Sequence, residues 1–285
     1  MKKVIGQKLL GERAEFFARD ASYEDCLFAE GESPLKEGKG IEAKNCTFAW
    51  KYPLWYDEDV KIDGCLWNQD ARAGGWYGKN IEVRNSRIEA PKDFRRCENL
   101  VLENVDMENA NEGIWACKNV KIKGLSAKGD YLCMNCEDVE VEDLNLVGGY
   151  SFDGCKRVRA KRLHIQGRDA FWNCEDVVVE DSWIEGAYIS WNTHNITFKN
   201  CVLSSLQGFC YLDGIKMVNC RLAGTSLAFE YCANCDVEGI DRLDSLKNPI
   251  SGEFHLADCG ELILEKERVD LTKSRLWVGG KKIVR

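Results

Sequence analysis

Whatever this chain folds into must accommodate a phrase that returns eleven times at steps of 19–22 residues, as in Asn80-Ile81-Glu82-Val83-Arg84-Asn85-Ser86-Arg87-Ile88 and Asp138-Val139-Glu140-Val141-Glu142-Asp143-Leu144-Asn145-Leu146. A unit this short, with apolar residues on alternate places and no room for a helix, is one rung of a parallel β-solenoid. The rungs begin at Asp20, Gly40, Asp59, Asn80, Asn99, Asn119, Asp138, Arg157, Asp176, Asn195 and Gly214. The second and fourth places (Ile81 and Val83, Val139 and Val141) point inward, as do the seventh and ninth (Cys46 and Phe48, Cys65 and Trp67). Between them the sixth place is Asn45, Gly64, Asn85, Asn104, Gly124, Asp143, Asp181, Asn200 and Asn219, residues that tolerate the left-handed backbone of a tight corner. Arg162 is the large exception.

The fifth place checks the alignment. It reads Glu24, Lys44, Asp63, Arg84, Glu103, Lys123, Glu142, Lys161, Glu180 and Lys199, alternating in sign throughout. In-register strands roughly 4.8 Å apart set each of these charges between two of opposite sign, whereas like neighbours would repel. The expected fold is an all-β, right-handed, single-stranded parallel β-helix of about eleven rungs, one domain overall. Residues 1–19 form an N-terminal cap, 20–232 the helix, and 233–285 the final irregular rungs and C-terminal cap, because open strand edges need covering.

Composition narrows the function classes. The net charge is -8 and the sequence pI about 5.2, with Lys and Arg spread along the ladder, which disfavours nucleic acid as a partner. No apolar run approaches membrane-spanning length, and the basic start Met1-Lys2-Lys3 has no apolar stretch behind it, so no membrane association and a cytoplasmic location are expected. Most of the 15 cysteines fall in inward columns, including Cys97, Cys117, Cys136, Cys155 and Cys174, and are read as buried free thiols. Cys133/Cys136 and Cys232/Cys235 have C-x-x-C spacing but lie five rungs apart, too far for a shared zinc site. His164, His194 and His255 have no ligand-like neighbours. No metal and no cofactor is expected.

The informative surface is the third face, preceding each rung start. Its inward column runs Leu54, Gly75, Phe94, Ile114, Cys133, Phe152, Phe171, Ser190, Phe209 and Ala228. The next column turns outward and reads Trp55, Trp76, Arg95, Trp115, Met134, Asp153, Trp172, Trp191, Cys210 and Phe229, so five of the nine tryptophans share one stripe. Beside it run Tyr56, Tyr77, Arg96, Asn135, Asn173, Asn192, Tyr211 and Glu230. Indole faces offer stacking area and the polar neighbours hydrogen bonds, the pattern of a groove for an oligosaccharide or polysaccharide. The binding residues expected are Trp55, Trp76, Arg95, Trp115, Asp153, Trp172, Asn173, Trp191, Asn192 and Tyr211. The alternative is a non-catalytic scaffold or homo-oligomer using the same face. If the chain is an enzyme, lyase, glycoside hydrolase or epimerase-like chemistry fits such a groove. The catalytic candidates are Asp153 and Asp169, on adjacent rungs with α-carbons roughly 11 Å apart, and Arg96.

The segments Gly31-Glu32-Ser33-Pro34-Leu35, Lys51-Tyr52-Pro53-Leu54-Trp55-Tyr56, Phe94-Arg95-Arg96, Phe152-Asp153-Gly154, Phe171-Trp172-Asn173, Phe229-Glu230-Tyr231 and Lys247-Asn248-Pro249 resemble those of a bacterial family known as domain of unknown function 3737. The resemblance covers nearly the whole chain and implies a pectin-lyase-like right-handed β-helix, the hand also expected of parallel connections. It implies no activity and no site residue. The Gly-His-Gly, the paired Asp-Asp and the clustered acidic calcium site of the wider superfamily's pectinolytic enzymes do not occur in this sequence, which argues against that chemistry.

Overall fold

The computed structural model describes residues 2–284, and it is a right-handed parallel β-helix of about 15 turns. The described residues fall into two compact units, which divide between Val147 and Gly148. In the first, Arg19–Glu24, Lys39–Lys44, Glu58–Asp63, Lys79–Arg84, Glu98–Met107, Lys118–Lys128 and Glu137–Val147 pair in parallel and in register. The second place forms one buried column, Ala21, Ile41, Val60, Ile81, Leu100, Val120 and Val139. In the second unit Val177 pairs with Val158 and with Ile196, and Ile196 with Ile215.

The expectation of about eleven rungs was too low. Lys2–Ile5 pairs with Ala21–Glu24, so the ladder enters the segment assigned to the N-terminal cap. At the other end Ala233–Lys247, Gly252–Ile263 and Ser274–Val278 continue it in parallel. In two of these rungs the pattern is faint because few side chains are buried: none of Lys2–Ile5 is, and only Phe254 and Leu256 are in Gly252–Ile263. Lys281–Val284 then turns back antiparallel on Ser274–Val278. Met1 and Arg285, the outermost residues of the expected caps, lie outside the described residues.

The charge ladder stands as read. Lys123 lies between Glu103 and Glu142 in the first unit, and Glu180 between Lys161 and Lys199 in the second. Arg84 meets Glu103 at 2.5 Å and Lys199 meets Glu180 at 3.3 Å. At about 0.2–1 kcal/mol for each exposed pair, these contacts fix register more than they add stability.

The sixth place is left-handed throughout, from Asn85 at φ 47° to Gly124 at φ 66°, and Arg162 adopts φ 54° there despite its size. The first place is a second left-handed corner, with Asn80 at 54°, Asn99 at 57° and Asn119 at 53°. Asparagine has a further use at both: its amide donates to the equivalent side chain one rung down, Asn99 to Asn80 at 2.7 Å, Asn119 to Asn99 at 2.9 Å, and Asn219 to Asn200 at 2.9 Å.

All fifteen cysteines are free thiols, and all but Cys259 are buried. Their columns do more than fill space. The backbone N–H of Cys46 donates to Cys65 Sγ at 3.2 Å, that of Cys97 to Cys117 Sγ at 3.4 Å, and that of Leu212 to Cys232 Sγ at 3.4 Å. Where the column carries a hydroxyl the same bond forms, from Cys65 to Ser86 Oγ at 3.0 Å and from Cys174 to Thr193 Oγ1 at 3.1 Å. Where a column position is Cys, Ser or Thr, its small side chain can accept the N–H of the previous rung, and a buried unpaired N–H costs ~1–3 kcal/mol. Alkylation of the native protein should modify one thiol, Cys259, and denaturant should release the remaining fourteen. Burial pushes the Cys259 thiol up, so its labelling should accelerate above the pH usual for a cysteine.

Candidate functional site

On the third face of the first unit, Gly75–Trp76, Phe94–Arg95 and Ile114–Trp115 form a short parallel sheet, with Gly75, Phe94 and Ile114 buried and Trp76, Arg95 and Trp115 outward and half-buried. Planar groups repeated at rung spacing stack on one another. Trp55 and Trp76 lie 5.3 Å apart and 9° from parallel, and Tyr52 packs on Trp55 at 4.5 Å. The Arg95 guanidinium sits 4.6 Å from the Trp76 ring and 5.1 Å from the Trp115 ring, held by Glu112 at 2.8 Å. The indole nitrogens of Trp55 and Trp76 donate to the carbonyls of Ala73 and Lys92 at 2.6 and 2.8 Å. The inner ring faces of this row are therefore occupied by its own members, and the edges are what it offers outward. Met134, next in the row, is buried. The adjoining place is a third left-handed corner, with Tyr56 at φ 62°, Tyr77 at 60° and Arg96 at 52°, and all three side chains are exposed.

In the second unit Trp172 and Trp191 are half-buried and 5.8 Å apart, with Tyr211 packed on Trp191 at 5.1 Å and Tyr188 edge-on to it at 5.7 Å. Trp172 Nε1 donates to the Tyr188 carbonyl at 3.1 Å. Asn192 donates to Asn173 at 3.0 Å, and Asn173 to the Asp153 carboxylate at 2.9 Å. Asp169 is almost wholly buried and 3.9 Å from the Arg168 guanidinium. Burial pushes its carboxyl up, against the Arg168 charge, the Tyr150 hydroxyl and the Tyr188 backbone. Asp153 and Asp169 thus have separate partners, and no hydrogen bond joins them. Besides Met134, two more places in the outward column need correction: Cys210 and Phe229 are fully buried. Phe229 stacks on Phe209 at 5.5 Å and Tyr231 follows Tyr211 at 5.7 Å, because the rung from Gly214 to Asn234 is one residue longer than those before it.

The sequence pattern did not point to one further opening. Beside the aromatic row of the first unit lies a groove of about 820 Å³ lined by Trp50, Lys51, Gln69, Asp70, Arg72, Arg87, Glu89, Pro91, Glu108 and Asn109. It is shaped by unequal rungs: the step from Asp59 to Asn80 is 21 residues against 19 from Gly40 to Asp59, and the extra length lies where Gln69, Asp70 and Arg72 line the wall. Uneven spacing was the available signal. Glu89 and Glu108 follow Ile88 and Met107, which pair in register, so the two carboxylates stand on adjacent rungs. Arg87 bridges them, its Nε 3.1 Å from Glu89 and its Nη2 3.4 Å from Glu108, while Nη1 reaches Asp106 at 3.2 Å. Lys51 is held by Glu32 at 2.7 Å. Among the described residues, no three His, Cys, Asp or Glu side chains are placed to hold a metal ion, and no helix is long and apolar enough to cross a membrane.

Three solved structures cover most of this chain at low identity. A surface protein and adhesin of Streptococcus pneumoniae, PfbA, is 8% identical, with 92% of this chain and 90% of that chain covered and a TM-score of 0.40. The A-module of the Azotobacter vinelandii mannuronan C-5 epimerase AlgE4 is 9% identical, with 97% and 89% covered and a TM-score of 0.32. No curated protein matches the sequence. The family model described as "Protein of unknown function (DUF3737)" matches residues 2–277, and the chain belongs to that family.

Proposed function

We propose that this chain binds an oligosaccharide, seated in the groove between Trp50 and Asn109 and flanked by the edges of the Trp55–Trp76–Arg95–Trp115 stack. The groove carries the reading: it is large enough for several sugar units, it is polar on nearly all sides, and one aromatic side chain, Trp50, stands among hydrogen-bonding groups. The stack itself serves chiefly to hold successive rungs of the third face together, since its rings are committed to one another. The candidates Asp153 and Asp169 stay outside this proposal, one being held by Asn173 and the other buried. The free thiols support a reducing compartment.

A scaffold reading keeps one supporting observation: Tyr56 and Tyr77 are exposed and stack at 4.8 Å, an aromatic edge that a partner protein could cover. Glycan-array screening separates the two. Trp50→Ala should weaken retention about tenfold and leave the melting temperature within ~2 °C, the loss of one stacking contact at an otherwise intact site. Trp172→Ala with Trp191→Ala should do the reverse, lowering the melting temperature without touching retention. Wild-type protein that is retained by no glycan while forming a stable dimer would overturn the binding proposal in favour of the scaffold.

A further inference from the structure

We infer that the groove selects an uncharged, polyhydroxylated chain over an acidic or amino sugar; this rests on the oligosaccharide reading and names the ligand class. The argument is one of charge already spent. Arg87 has Asp106, Glu89 and Glu108 within 3.2, 3.1 and 3.4 Å, and Glu89 holds its guanidinium even more firmly protonated than usual. Lys51 is engaged by Glu32. The remaining charged liners, Arg72 and Asp70, stand two residues apart on one turn with opposite signs. An anionic ligand entering here meets the Glu89 and Glu108 carboxylates, and a cationic one meets Arg72 and Arg87. The lining carries three cationic side chains, Lys51, Arg72 and Arg87, and three anionic ones, Asp70, Glu89 and Glu108, so neither ligand finds a net charge on the wall to offset its desolvation.

Hydroxyl groups fit the same wall. Each donates and accepts at once, so a sugar diol can donate to a carboxylate lone pair while accepting from a guanidinium N–H. Asn109 adds a directed donor: its Oδ1 is taken by the Asn111 amide at 2.8 Å, which leaves Nδ2 for the ligand. Binding of this kind involves little ion release and should be insensitive to salt, unlike recognition of a charged polymer.

Isothermal titration of the purified protein with neutral hexasaccharides (xylo-, manno- and cello-oligosaccharides), oligogalacturonate and chitosan oligomers tests this at about 20 and about 500 mM sodium chloride. The expected result is binding of at least one neutral series with Kd changing less than about twofold across salt, and both charged series weaker by about tenfold or more. Tighter binding of oligogalacturonate or chitosan, lost at high salt, would overturn the inference and leave the oligosaccharide proposal standing. Silence toward every glycan would remove both. The variant E89Q/E108Q supplies a second reading, since it leaves Lys51, Arg72 and Arg87 in the lining against Asp70 alone: it should acquire oligogalacturonate binding at low salt, and a variant that stays as weak toward that ligand as the wild type would count against the charge-balance argument.

Discussion

Replacing Gly129 with alanine is expected to destabilise the first unit by ~2–6 kcal/mol, combining the strain of a disfavoured backbone with that of an overpacked site. Gly129 lies at the turn onto the third face with φ 145°, a conformation essentially reserved for glycine. A Cβ there would sit 2.6 Å from the Asn111 nitrogen and 2.8 Å from the Ala110 carbonyl carbon. Both are main-chain atoms of the rung below, and Ala110 is itself bound to the Lys128 carbonyl at 2.6 Å, so neither can retreat without opening the ladder. Urea unfolding should show a markedly lower midpoint with little change in slope. Gly6 is the control: it has φ 61° with nothing within 4 Å of its added Cβ, so alanine there should cost only ~1–2 kcal/mol. Equal midpoints for the two variants would mean that the rungs do not approach as closely as described.

The second large effect concerns pH. Asp93 is fully buried, and neither of its carboxylate oxygens has a hydrogen-bond partner. Burial pushes its carboxyl well above the usual range. The folded state therefore keeps this proton where the unfolded chain, with an ordinary value of about 3.9, has released it. Stability from this group is then highest below the unfolded value and falls as pH climbs toward the folded one, by ~1.4 kcal/mol for each unit between them. Asp93→Asn cannot titrate. Its melting temperature relative to wild type should be near parity at acid pH and rise through the neutral range, at roughly 2–4 °C per kcal/mol for a unit of this size. An asparagine variant that is less stable than wild type at pH 8 would mean that the carboxylate is ionised and held by a partner.

How much of this was legible beforehand depended on whether a feature repeats. The alternating charges from Glu24 to Lys199, the inward pairs such as Val139 and Val141, and the Asn/Gly corner at the sixth place each recur at every rung, and each stands where the period put it. Periodicity fails where a rung changes length. One extra residue before Asn234 moved Phe229 from the outward column onto Phe209, and the extra residues between Asp59 and Asn80 helped to form the groove. The direction of the tryptophan row could be read from alternation. That Trp55, Trp76, Arg95 and Trp115 would lie face to face could not, because it depends on side-chain torsions that alternation does not constrain. The same holds for the burial of Asp169, which its place in the rung does not dictate.

The sulfur columns make the route to this structure more hazardous than the structure itself. In the finished stack fourteen thiols are sealed between rungs and beyond the reach of oxidants. Before a rung closes they are open, and thiols such as Cys97 and Cys117, destined for adjacent rungs, approach at separations that a disulfide spans easily. A mispaired bridge would lock the wrong turns together, so refolding yield should depend on reductant far more steeply than the stability of the native protein does.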